Sequence, residues 1–184
     1  MSTIKVCLLT ITKNHGSTIT TYLDSVADCI DYAVLIDAGS NDNTVSLFET
    51  WTKRNNKGCH VTIPHSFNKM PFYMSRYVNL AIETARVKFP DVTHFLYLDP
   101  HLKLTNSHVI KTASTTDVDF LQLHESTDAI YTDGSSRHIV MLSIFGLFRS
   151  NIKWVSQGDM LNHITTDGPF TKEPIDQKCM ITRL

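Results

Sequence analysis

At 184 residues, with 42% hydrophobic and 19% charged side chains, the chain is long enough to close one hydrophobic core and too short for two comfortable ones. Lys and Arg number 17 against 18 Asp and Glu, a formal charge of -1, so no global field recruits nucleic acid or an anionic membrane surface. No apolar run approaches a membrane span, no cleavage signal follows the N-terminus, and Cys7, Cys29, Cys59 and Cys179 form no C-x-x-C pair, so free thiols in a soluble, cytoplasmic protein are the expectation.

Val6 to Ile11 (VCLLTI) is a continuous apolar run with a β-branched bias, the pattern of a strand covered on both faces. The turn formers TKNHGST follow. Ile19, Tyr22, Leu23, Val26, Ala27 and Ile30 then recur at helical spacing and predict an amphipathic helix of about three turns. Tyr32 to Asp37 (YAVLID) reads as a second buried strand ending in AGSNDNT. Val45, Phe48 and Trp51 mark a second helix, whose start Ser40, Asn41 or Asp42 could cap. CHVTIP is a third strand stopped by Pro64. Tyr77, Val78, Ala81, Ile82 and Ala85 define a third helix from Met74 to before Pro90, and THFLYL is a fourth strand.

This alternation predicts an α/β fold: an open, mainly parallel, Rossmann-like sheet flanked by helices. From about residue 117 the rhythm changes. VDFLQL, HIVMLSIFGLF and IKWV read as strands with no long helix between them, and the tail DGPFTKEPIDQKCMITRL shows no periodicity. The expectation is one domain over 1–184, with a nucleotide-type half to about residue 104 and a short antiparallel half from about 105 that completes the pocket.

In open parallel sheets, ligands bind beyond the carboxyl ends of the strands. The polar residues at those ends are Thr12, Lys13 and Asn14, then Asp37, then Asp99 and His101. In FLYLDPHLKL an apolar run stops abruptly at Asp99, Pro100 and His101, setting two metal-ligand types just past a strand end.

TKNHGSTITTYLDSV followed by DYAVLIDAGSNDNT resembles the opening of the family 2 glycosyltransferases with the GT-A fold. That family ends its first strand in Lys-Asn-Glu and its second in Asp-x-Gly-Ser-x-Asp-x-Thr, matched here by Asp37, Gly39, Ser40, Asp42 and Thr44. SRYVNLAIETA resembles the family's Arg-Asn-x-Ala helix, with Asn79 and Ala81 in place and Arg76 displaced by one position. YLDPHLKL sits where the family carries Asp-x-Asp. LFRSNIKWVSQGDML resembles a pattern of Phe-Arg, an apolar-Lys-Trp strand and a His-Glu pair. The likeness runs over roughly residues 4 to 161.

The resemblance implies transfer of a sugar from a nucleotide-sugar donor, a UDP-sugar first, to the hydroxyl of a glycan or other acceptor, with inversion. It implies that Asp37 accepts the imide N–H of uracil and that Thr12 and Asn14 line base and ribose. Asp99 would bind ribose or hold a divalent cation, and Arg76, Arg149 and Lys153 would lie toward the diphosphate. Asp159 would be the general base. His101 replaces the second acid of Asp-x-Asp; neutral imidazole suits Mn²⁺ better than Mg²⁺, so the site favours Mn²⁺, binds metal weakly, or has dispensed with it. Gly158 and Asp159 replace the His-Glu pair, and His15 replaces the glutamate of Lys-Asn-Glu and reads as an exposed loop residue. Ser40 and Asp42 read as caps of the second helix rather than ligand contacts.

Two other readings stand beside this one. The first is a degenerate GT-A domain that binds a nucleotide sugar or a partner without turnover. The second, a methyltransferase using S-adenosylmethionine, fits badly, because its glycines belong after the first strand and LTITKNHG lacks the Gly-x-Gly turn. The abbreviated second half implies a shallow acceptor pocket, or one that a second subunit completes in a homo-oligomer.

Overall fold

A computed structural model describes residues 4–62, 74–113, 120–130, 136–149, 153–156, 162–165, 172–174 and 180–183. At its centre lies β1 (Val6–Thr12), all seven residues of which are buried, as an apolar run without alternation requires. Beside it β2 (Tyr32–Asp37) runs parallel, in a register from Cys7 opposite Tyr32 to Thr12 opposite Asp37. On the other flank β4 (His94–Tyr97) is also parallel, from Val6 opposite His94 to Leu9 opposite Tyr97. With β3 (Cys59–Thr62) outside β2, the order β3-β2-β1-β4 sets the carboxyl ends of the parallel strands along one edge.

The helices cover this sheet. α1 (Ile19–Val26) buries Ile19, Tyr22, Leu23 and Val26. Eight residues are too few for a helix to hold alone in water, so its stability comes from that face, at about 2 kcal/mol per large apolar side chain. It is shorter than its apolar spacing predicts: Cys29 and Ile30 are buried too, but the Cys29 amide bonds the Val26 carbonyl in a closing turn. α2 (Thr44–Asn55) buries Phe48 and Trp51 and ends on Asn56, a left-handed residue whose amide bonds the Thr52 carbonyl. Gly58 then turns the chain at φ +117°, where a Cβ would lie 2.7 Å from the Ala33 carbonyl oxygen. α3 (Met74–Lys88) buries Tyr77, Val78, Ala81, Ile82 and Ala85, the five positions its spacing marks.

After β4 come two elements the sequence reading leaves out, β5 (Leu102–Leu104) and α4 (His108–Ala113). β6 (Phe120–Ile130) and β7 (Ser136–Arg149) then form a long antiparallel pair, and β7 runs antiparallel to β4, carrying the sheet onward. β8 (Lys153–Ser156) pairs with β9 (Asn162–Thr165) as a separate two-stranded sheet. The tail is not without order: β10 (Lys172–Pro174) and β11 (Met180–Arg183) both pair with β6, and do so in parallel. β5 closes on β11 antiparallel, so the second half is mixed rather than antiparallel throughout. Cys7 and Cys29 are buried free thiols and Cys59 a half-buried one; Cys179 lies outside the described residues. No helix of the described residues is long and apolar enough to cross a membrane.

Candidate functional site

Thr12 and Asp37 end adjacent parallel strands and are buried side by side, only 2% and 1% exposed. A carboxylate so deep must be satisfied, and the loop that follows does it. The Gly39 amide donates to Asp37 Oδ2 at 3.2 Å, the Ser40 amide to the same oxygen at 3.1 Å, and the Ser40 hydroxyl to Oδ1 at 2.5 Å. Gly39 sits at φ 86° to allow this tight return.

The rest of that loop holds the one before it. Three consecutive backbone amides after β1 each find a side chain from the β2–α2 loop: Asn14 donates to Ser40 Oγ at 2.9 Å, His15 to Thr44 Oγ1 at 2.8 Å, and Gly16 to Asp42 Oδ2 at 2.9 Å. Asn14, left-handed at φ 58°, returns a bond through Oδ1 to the Asn41 amide at 2.9 Å. Thr44 donates its hydroxyl to Asp42 Oδ1, which also accepts the Thr44 amide. These bonds hold Asp42 below the usual carboxylate range, the Thr44 hydroxyl most of all. Ser40 is therefore not a helix cap; it ties Asp37 to Asn14. Asp42 does serve the first amide of α2, while the N-cap position itself is Asn43, with no side-chain cap bond.

Across β1, the chain leaves β4 into Asp99-Pro100-His101. The Leu102 amide bonds the Asp99 carbonyl at 3.0 Å, and the His101 amide bonds Asp99 Oδ1 at 3.2 Å. This is a β-turn with Asp at its first position and Pro at its second, residues suited to those places. Buried Leu102 and Leu104 pin its far side, and below it the Tyr22 hydroxyl donates to the Leu98 carbonyl at 3.2 Å. The apolar run stops here because the strand ends in a turn whose polar side chains stand clear of the core. Asp99 is 23% exposed and His101 42%, and the His101 Nδ1 bonds Asp99 Oδ1. Burial pushes the Tyr22 and Tyr97 phenols up, and the Asp99 charge adds to the rise in both. Both phenols therefore stay neutral beneath the site at ordinary pH.

Because β1 lies between β2 and β4, its loop faces both. His15 is half-buried, and ligand atoms of His15, Asp99 and His101 lie within 4.8 Å of one another. The exposed loop residue of the sequence reading is thus part of the site.

The remaining candidates divide. Lys13 is exposed on the β1–α1 loop, and Arg76 is exposed near the start of α3. The register sets Arg149 opposite His94, at the other end of β4 from Asp99, so its backbone is not among those gathered at the crevice. Lys153 lies in the β8–β9 pair. Asp159 and Gly158 lie outside the described residues.

No family model matches the sequence, and no curated protein matches it. Solved structures do match in shape. Yersinia pseudotuberculosis HddC is 11% identical, with a TM-score of 0.58 over 96% of this chain and 92% of its own. S. aureus TarS is 18% identical, with a TM-score of 0.54 over 80% of this chain. The chain has the GT-A fold. A putative glucose-1-phosphate thymidylyltransferase from Bacillus anthracis, 8% identical, matches 79% of this chain and 72% of its own at a TM-score of 0.56. This GT-A chain spans 28% of the length of TarS.

Proposed function

We propose that the protein transfers a sugar from a nucleotide-sugar donor, a UDP-sugar, to an acceptor hydroxyl with inversion at the anomeric carbon. The observation that carries the reading is the edge formed by three neighbouring parallel strands of a GT-A sheet. It gathers Thr12, Asn14, Asp37, Asp99 and His101, with a trio suited to a cation on one side. The base and ribose lie against the clamped β1 and β2 loops, where Thr12 and Asn14 line the pocket and Asp37 fixes its shape. Asp37 has acceptor capacity left for the uracil imide. Asp99 and His101 face the diphosphate, with Arg76 contributing positive charge from α3.

The donor set of two imidazoles and one carboxylate fits Mn²⁺ better than Mg²⁺, which prefers oxygen. A bound cation supplies neutralisation of charge on the departing diphosphate. Asp159 accepts the proton of the acceptor hydroxyl as that oxygen bonds the anomeric carbon and the bond to the diphosphate breaks.

Calorimetric titration of UDP with Mn²⁺, with Mg²⁺ and with EDTA tests the reading. Saturable binding that Mn²⁺ strengthens supports it; no binding in any condition removes the UDP-sugar donor. For Asp159→Asn, UDP binding persists while transfer falls about 10²- to 10⁴-fold.

Nucleotidyl transfer is the second reading, favoured by the likeness to the thymidylyltransferase over most of that chain's length. A triphosphate is commonly cradled by free backbone amides in a loop after the first strand. Here the amides of Asn14, His15 and Gly16 are all engaged by Ser40, Thr44 and Asp42, which favours the sugar-transfer reading. dTTP binding tighter than UDP would reverse that preference.

A further inference from the structure

We propose that His15 is a metal ligand, and that His15, Asp99 and His101 form one three-point centre that takes a transition-metal dication in preference to Mg²⁺. The inference rests on the donor-site reading above for what the cation does, and on side-chain geometry for the centre itself. Ligand atoms of the three residues lie within 4.8 Å of one another, and all three residues are half-buried. Bonds of about 2.0–2.2 Å to a shared cation set such atoms roughly 3–4 Å apart, so His15 closes on the pair while the bond between Asp99 and His101 opens.

The backbone of the third ligand is not free to wander. His15 lies between Asn14 and Gly16 in the clamped triplet, its own amide held by Thr44 Oγ1. Its ring is oriented as well: Nδ1 lies 3.0 Å from the Thr12 hydroxyl, with the Lys13 amide farther off at 3.4 Å. In the tautomer that carries its proton on Nδ1 and donates it to the Thr12 hydroxyl, Nε2 is the nitrogen left for a cation, the outer-shell arrangement that metal-binding histidines use. On the other side Asp99 engages His101 Nδ1. Two imidazoles and one carboxylate suit Zn²⁺, Co²⁺ and Mn²⁺ and leave coordination positions for phosphate oxygen or water; Mg²⁺ is poorly served. By the general affinity order of divalent metals, Zn²⁺ and Co²⁺ bind this centre more tightly than Mn²⁺.

The test is a Co²⁺ titration of metal-stripped protein without nucleotide, read from the visible bands of the bound ion. Wild type takes one Co²⁺ per chain, released by Zn²⁺ and not by millimolar Mg²⁺. His15→Ala and Asp99→Ala each weaken it roughly 10- to 100-fold or more. His15→Gln, which keeps the size but not the imidazole, does the same and covers the case that alanine unsettles the loop. Thr12→Val weakens the affinity and shifts the Co²⁺ bands, and Thr12→Ser restores both, as a positioning residue requires. Unchanged affinity and spectrum in both His15 variants, or displacement of Co²⁺ by Mg²⁺, overturns the proposal. UDP binding is measured on the same proteins, both with Mn²⁺ and in EDTA. His15-dependent Co²⁺ binding without UDP binding sinks the donor reading and keeps the centre, and UDP binding without His15-dependent metal does the reverse.

Discussion

The β2–α2 loop and the β4–β5 turn border the same crevice with similar residues, yet use them in opposite ways. In the first, Asp37, Ser40, Asp42 and Thr44 all bond backbone amides, those of their own loop and those of residues 14 to 16. In the second, the turn closes largely through its own backbone and Pro100, leaving Asp99 and His101 half-buried beside His15. A run of acids and hydroxyls after a strand thus has two destinations. Where the chain leaves amides without helix or sheet partners, the side chains are drawn to them. Where a turn satisfies itself, they remain for a ligand.

The largest effect that should separate the two loops is Asp99→Asn. It leaves the fold intact, since among the described residues only the turn's own amide and the His101 ring bond the carboxylate, while sugar transfer falls about 10³-fold, a few kcal/mol of lost cation and diphosphate stabilisation. Near-normal turnover with UDP-sugar would end the assignment of Asp99. Asp37→Asn should weaken the fold as well as the donor contact. It sets an amide nitrogen against the donors of Gly39 and Ser40 in a buried site, at a cost of about 2 kcal/mol. Thermal unfolding should shift down by roughly 4–8 °C. An unshifted midpoint would mean the loop does not depend on that charge.

Asp42→Asn is a smaller break in the same clamp, and it is readable in pH. The Asp42 carboxyl titrates below its ordinary value of 3.8 in the folded protein, so its contribution is present above that pH and lost as pH falls through the lower folded value. Stability of wild type should therefore drop more steeply than that of Asp42→Asn below about pH 4. Parallel acid limbs in denaturant titrations would show that the charge does not hold the loop.

The fold was legible where burial was two-sided. YAVLID is a strand over its whole predicted length, and the spacing of Tyr77 to Ala85 gives the buried face of α3. Lys172–Pro174 and Met180–Arg183 were not legible, because three or four residues carry no period and become strands only through pairing with β6. Asp99 and His101 stood out because an apolar run halts at them. His15 did not, since its neighbours are distant in sequence and meet it only once β1 and β4 lie side by side. Ser40 was misread as a cap because a serine before a helix looks the same whether it serves that helix or the next loop.

The smallest expected effect lies at the opposite end of the sheet, where a carboxylate is bonded by a tyrosine. The Tyr32 hydroxyl donates to both Asp91 oxygens at 2.9 and 2.8 Å, its ring stacked on Phe89 with centroids 4.3 Å apart. The bond to Asp91, then burial, pushes the Tyr32 phenol up to about 12. A phenol raised above its ordinary value of 10.0 contributes stability that is whole below that pH and lost as pH climbs toward 12. In Asp91→Asn one tyrosinate absorbance step should move back toward pH 10, while Co²⁺ and UDP affinities stay as in wild type. If either affinity moves, the two ends of the sheet are coupled, and the contrast between structural and ligand-facing acids cannot be drawn from local bonding alone.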